Sequence, residues 1–285
     1  MISNKVKTLV LFGSLMPSFA FRGAGSAKSL EGKTESVIFF ISDTETEWSL
    51  TEKKEMVTLV YDAEGWLIEQ AKQNGKELHF SHHFFGWEED ITVPTIQDGV
   101  RSGYEDVTLA KKITEILGYH SPQEILAQFP ADNTQLLFML KKDGASYAFA
   151  YDVGMAEQYY VEGMAIYHRF APELPNCVSC IAHEMLHLFG AHDYYKTFQT
   201  TEEQEMEAQK KYPNSIMLRT SYDIYELNID PITKWRIGWS DYKPPQADFF
   251  NPVPYSQEPR NEDNILDAQT NGPNKKDIPQ NNEQK

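Results

Sequence analysis

Residues 183–193 read His-Glu-Met-Leu-His-Leu-Phe-Gly-Ala-His-Asp, and this run constrains the fold more than any other part of the chain. On an α-helix, side chains four apart lie on one face about a turn from each other, so a helix through this run aims His183 and His187 at one point. Glu184 then stands beside the first imidazole. Two neutral nitrogens on an ion, with a carboxylate close enough to take a proton from a bound water, are what hydrolytic zinc chemistry requires. The helix must end at Gly190, because glycine tolerates the left-handed backbone with which helices close. The returning chain brings back a third ligand, either Asp193 or its neighbour His192, imidazole being the commoner zinc ligand.

The longer pattern His-Glu-x-x-His-x-x-Gly-x-x-Asp resembles the signature of the metzincin clan of zinc metalloproteases, in the snapalysin-like version where aspartate replaces the third histidine. Downstream, Asn214-Ser215-Ile216-Met217 is similar to the methionine turn of that clan. The resemblance implies one catalytic Zn2+ held by His183, His187 and Asp193, with His192 a neighbour. Glu184 becomes the general base, Gly190 the turn, and Met217 the packing beneath the metal. It further implies a secreted endopeptidase that lays a peptide or protein substrate along an edge strand. One position departs from the pattern. Some metzincins carry a tyrosine two residues after the methionine, where this chain has Arg219; Tyr222 is near but out of register. Oxyanion stabilisation is then expected from the metal, with Arg219 as a second candidate.

The rest of the chain reads as an α/β (α+β) protein with a mixed twisted sheet, backing helices and a small C-terminal subdomain. Ser36 to Ile41 is a continuous apolar run, as in a strand buried on both faces. Ser49 and Glu52 form a capping box ahead of Met56, Val60, Ala63, Leu67 and Ala71, whose spacing predicts a long helix ending at Asn74-Gly75. Strands follow at Glu77 to Phe85, Gln135 to Leu140, Ser146 to Tyr151 and Val161 to Phe170, the third of these being the expected edge. Helices are expected around Val107, Ala110, Ile113 and Leu117, and from Ser121-Pro122. Thr201 to Lys211 reads as a solvated helix or loop, and Asp230-Pro231 opens a helix ending near Gly238. The metzincin resemblance spans roughly 36 to 240, with an upper subdomain to about 193 and a lower one over 194–240, although only 183–193 and 214–217 match at motif grade. From Asp241 to the end, Pro, Asn, Gln and Asp dominate, which predicts a disordered polar tail over 241–285.

Lys5 and Lys7 precede an apolar stretch, Thr8 to Met16, and small residues follow. Residues 1–27 therefore read as a signal peptide, cleaved after Ala20 or Ala27, of a secreted or periplasmic protein whose catalytic domain begins at 28. No later stretch is apolar enough to span a bilayer. A formal net charge of -16 opposes nucleic-acid and anionic-membrane partners. The chain has 2 cysteines, Cys177 and Cys180, which either close a local disulfide or pack as buried thiols. Cys180 shares a helical face with His183 and His187, making it a weak candidate beside the metal. His79, His82 and His83 cluster on a strand but lack a full ligand set, and His120 and His168 have no supporting pattern. Two other classes fit the same motif: a silent zinc-fold binding or adhesion protein, and a zinc hydrolase of non-protein amides such as cell-wall peptides.

Overall fold

A computed structural model describes residues 29–96, 112–149, 163–197 and 199–253. The expected signal peptide, the start of the helix around Val107, the last residues of the Ser146 to Tyr151 strand and most of the expected tail lie outside these residues.

The molecule is a mixed α/β fold built on a 7-stranded sheet. Its first unit is β1 (Gly32–Ser42), α1 (Leu50–Gln73) and β2 (Leu78–Phe85). β1 pairs in parallel with β2 on one side and with β4 (Asn133–Asp143) on the other, and β4 pairs in parallel with β6 (Gly163–Ala171). The short β5 (Tyr147–Phe149) runs antiparallel to β6 and is the last strand on that side among the described residues, in the order β2-β1-β4-β6-β5. Two minor strands complete it: β3 (Ile91–Thr92) on β1 and β7 (Leu174–Pro175) on β6.

The apolar run in β1 is explained by two cores, one on each face. Ile38 and Phe40 pack with Leu137, Met139, Met164 and Ile166 under the helices. The alternate residues Val37, Phe39 and Ile41 face the opposite way with Leu136, Phe138, Ala165 and Tyr167, covered by Ile113 and Ile125. A parallel strand with both faces covered has no polar positions to spare. Ile125 belongs to α2 (Pro122–Leu126), and residues 112–116 are also helical.

α1 begins as its capping box requires: the Ser49 side chain accepts from the Glu52 N–H, and the Glu52 carboxylate reaches back to the Ser49 N–H. Its buried stripe includes Met56, Val60, Ala63, Leu67 and Ala71, and it ends at Asn74 with Gly75 at φ 69°. α1 packs on α3 (Val178–His187), the helix that carries the His-Glu-x-x-His run.

The C-terminal part closes over the same core. α4 (Glu202–Lys211) is capped by Thr201, and α5 (Pro231–Arg236) is capped by Asp230 with proline in its first turn. Trp239 Nε1 donates to the Leu30 carbonyl at 2.5 Å and the Leu30 N–H to the Ile237 carbonyl at 2.9 Å, so this part is tied to the start of β1. The fold does not stop at residue 240, and the tail boundary expected at Asp241 is corrected. Ala247 and Phe250 are buried in the core, Arg236 Nη2 donates to the Phe250 carbonyl at 2.6 Å, and Gln204 Nε2 donates to the Phe249 and Asn251 carbonyls at 2.6 and 2.9 Å. Two buried apolar side chains and three backbone clamps hold a segment whose composition alone reads as tail.

Candidate metal centre

α3 is placed at its start by Asn176 and Cys177. The Asn176 amide donates to the Tyr167 carbonyl on β6 at 2.7 Å and to Ser146 Oγ at 3.1 Å, while its oxygen accepts the Cys177 N–H at 2.8 Å. Cys177 caps the helix: its sulfur accepts the Cys180 N–H at 3.1 Å and is disulfide-bonded to Cys180. Cys180 is therefore not a group beside the metal, because its sulfur is already bonded within the first turn. The helix closes at Gly190, where φ is 100° and the Ala191 N–H returns to the Leu186 carbonyl at 3.1 Å. That backbone is open to glycine and strained for other residues.

The turn brings Asp193 back onto the helix, as the motif predicts. Asp193 Oδ1 lies 3.0 Å from His183 Nε2 and 3.1 Å from His187 Nε2, and the two Nε2 atoms are 3.0 Å apart. Three donor atoms thus form a triangle with near-equal sides. Glu184, 8% exposed, belongs to the same buried group: ligand atoms of His183, Glu184 and His187 all lie within 4.8 Å of one another and could hold a metal ion. Two carboxylates thus compete as third ligand. Asp193 fits better on distance, since its oxygen touches both Nε2 atoms, whereas the Glu184 carboxylate lies within 4.8 Å of the imidazole nitrogens.

The ring orientations are set from behind. His183 Nδ1 is 2.8 Å from the Ile216 carbonyl and His187 Nδ1 is 2.9 Å from the Ala191 carbonyl. Each neutral ring donates its Nδ1 proton there, leaving Nε2 as a lone pair directed at its partner, which is how a metal-binding imidazole is normally oriented. With both rings neutral, the buried Asp193 Oδ1 receives no hydrogen bond. Two lone pairs and an anionic oxygen in mutual contact repel unless a cation lies between them, so the donor set fits a divalent ion of the zinc type. A proton competes for the same place. Burial pulls the His187 imidazole down, but the Asp193 charge and hydrogen bond and then Glu184 outweigh it and raise the group to about 9. Burial also pushes Asp193 up, and the two imidazoles overcome this and hold it well below the usual carboxylate range.

The methionine turn supports the centre in a way the motif does not state. Met217 is fully buried, and the backbone around it makes the contacts: Ile216 accepts from His183, and the Met217 carbonyl accepts the Tyr194 N–H at 2.8 Å. Behind it, Asp230, read from sequence only as a helix opener, is 2% exposed and binds three parts of the site. It accepts from Tyr194 Oη at 3.0 Å, Ser215 Oγ at 2.8 Å and Thr233 Oγ1 at 2.6 Å, besides the Ile232 and Thr233 N–H groups of α5. One carboxylate joins the segment after Asp193, the methionine turn and α5. Burial first, then Asp230, raises the Tyr194 phenol well above its ordinary range.

Two further candidates do not reach the centre. Arg219 is held at the outside of the turn, donating to the Pro213 carbonyl at 3.2 Å and to Asn214 Oδ1 at 3.3 Å, with Glu226 3.9 Å away. Its guanidinium is committed there, which removes it as an oxyanion donor. The Tyr222 hydroxyl donates to the Pro175 carbonyl at 3.0 Å. His192 is not part of the donor triangle, although its Nε2 is buried without a partner. An aromatic ring that the motif does not single out, that of Tyr195, stacks beside His183 with centroids 6.1 Å apart.

The other histidines do not converge. His79 pairs with Glu77, His82 with the buried Glu64, and His83 packs on Phe85 and Phe129. His168 lies beside Lys141 and Trp48; burial and then the Lys141 charge lower its imidazole.

No family model matches the chain, and no curated protein is found similar to it. No helix among the described residues is long and apolar enough to cross a membrane.

Proposed function

We propose that the chain is a secreted zinc-dependent endopeptidase of metzincin type. The observation that carries this reading is the donor triangle, in which both imidazoles have their Nδ1 protons committed to carbonyls and turn Nε2 onto Asp193. His183, His187 and Asp193 would hold the ion. When bound, zinc supplies a Lewis acid and brings the pKa of its water to about 7.

The chain's own residues supply the remaining chemistry. Glu184, largely buried next to His183, takes the proton of the attacking water and returns it to the leaving amine. Tyr195, against the His183 ring, provides a phenol for the developing oxyanion, the role that Arg219 and Tyr222 are placed too badly to fill. β5 ends the described sheet and lies against α3, so its outer edge offers backbone groups to an extended peptide close to the ligands. Backbone pairing suits an endopeptidase because every peptide carries the same main chain.

The test is zinc quantification on purified protein together with cleavage-site mapping on unfolded proteins and on cell-wall peptides, wild type against Glu184→Gln. We expect one zinc in both proteins and peptide hydrolysis reduced about 10²- to 10⁴-fold in the variant, the range for loss of a general acid-base group. Metal-loaded wild type that cuts nothing would indicate a silent binding protein, and cleavage confined to cell-wall fragments would reassign the substrate.

A further inference from the structure

The metal chemistry leaves one reactive feature of α3 unused: the disulfide between Cys177 and Cys180 in its first turn. Its loop contains only Val178 and Ser179. Closing so short a loop removes little freedom from the unfolded chain, so global stabilisation is a poor explanation for it.

The two sulfurs sit in unequal surroundings. Cys177 is 2% exposed at the helix N-cap, where its sulfur accepts the Cys180 N–H at 3.1 Å. Helix N-termini carry partial positive charge and favour a thiolate. Cys180 is only part-buried. In thiol–disulfide exchange the better leaving sulfur is the one whose thiolate is better stabilised, and the attacked sulfur must be reachable. Both conditions select the same direction.

We propose that Cys177-Val178-Ser179-Cys180 is an exchange-active disulfide, attacked by small dithiols at Cys180 with Cys177 as the leaving thiolate. A thiolate of the dithiol bonds to Cys180 Sγ, and the Cys177–Cys180 bond breaks with its electron pair leaving on Cys177. The second thiol of the reagent then displaces Cys180. The protein gains two electrons and two protons as a dithiol, and the reagent ends as its own disulfide.

The site is also built to close again. Ser179, inside the loop, donates from Oγ to the Ser221 carbonyl at 2.6 Å and accepts the Ser221 N–H at 2.9 Å, and Asn176 holds the Cys177 N–H. These bonds do not involve the sulfur–sulfur linkage. They keep the two residues near their present Cα separation of 5.1 Å after it opens. The exchange is independent of the hydrolase reading, because neither sulfur is among the proposed ligands and the readout below uses no peptide cleavage.

The oxidised full-length protein is treated with dithiothreitol at neutral pH without denaturant, trapped with an alkylating reagent and mapped by peptide mass spectrometry, with circular dichroism recorded in parallel. We expect both cysteines to be alkylated in protein that keeps its folded spectrum. Labelling only after denaturant is added overturns the proposal. The direction is tested with oxidised glutathione on Cys177→Ser and Cys180→Ser. A stable glutathione adduct on Cys180 in the first, with at least tenfold less on Cys177 in the second, supports it; equal or reversed adducts overturn it. If either variant fails to fold, limiting dithiothreitol on the wild type is used, where the trapped mixed intermediate must lie on Cys180, and one on Cys177 overturns the assignment.

Discussion

The candidate for third ligand turns on a difference of one residue. Asp193 and His192 are adjacent, yet Asp193 Oδ1 touches both Nε2 atoms while His192 Nε2 is buried elsewhere without a partner. Asp193→Ala should therefore lower zinc retention by at least tenfold and His192→Ala much less, checked by metal content after dialysis against a graded chelator; the opposite order would transfer the ligand to His192. Tyr195 gives a separate test. If its phenol stabilises the oxyanion, Tyr195→Phe should lower kcat about 10²- to 10³-fold with KM and zinc content little changed. A rise in KM alone would make it a substrate contact.

At the scale of elements, the ends of β1 and α1 are held by carboxylates that must stay ionised. Glu52 is pulled up by burial, but Lys141 and then the Ser49 N–H and hydroxyl of the capping box outweigh it and lower it from 4.5 to about 2. Asp43 behaves alike: burial raises it, while the Ile96 N–H, Lys142 and Thr46 bring it from 3.8 to about 2. A carboxyl more acidic in the folded than in the unfolded chain stabilises the fold above its unfolded value and loses that contribution as pH falls through the folded one. The contribution of these two carboxylates to thermal stability should thus be level above about pH 5 and fall steeply toward pH 2. Glu52→Gln, with a lower starting Tm, should show a shallower fall over that window; an unchanged slope would remove the cap from the acid response. Local signals of this kind are well legible in the chain. The capping box, Asn74-Gly75, Gly190 and Asp230-Pro231 each act on neighbours a few residues away, and each lies where the elements begin or end.

For the whole molecule, the segment after residue 240 is the instructive case. Its composition reads as tail, yet Phe250 is 3% exposed and rings with Tyr194 and Tyr212, at centroid distances of 5.0 and 5.9 Å. Tyr194 is the residue that follows Asp193 and binds Asp230. Phe250→Ala should cost about 3–5 kcal/mol in denaturant unfolding, as for other buried phenylalanines, and should weaken zinc binding through Tyr194. A loss below about 1 kcal/mol would show the segment to be dispensable.

What the chain determined by itself is the set of groups whose action is local: two imidazoles and a carboxylate on one helical turn, the glycine that ends the turn, and the aspartate three residues beyond it. Helical periodicity and short-range backbone geometry suffice for these. The carbonyls that orient the rings, the commitment of Arg219 to the outer face of its turn, the ring of Tyr195 beside His183 and the buried Asp230 hub were decided by tertiary structure. Each depends on segments that meet only because two separate cores form on a common sheet, and no spacing rule along one chain encodes such a meeting.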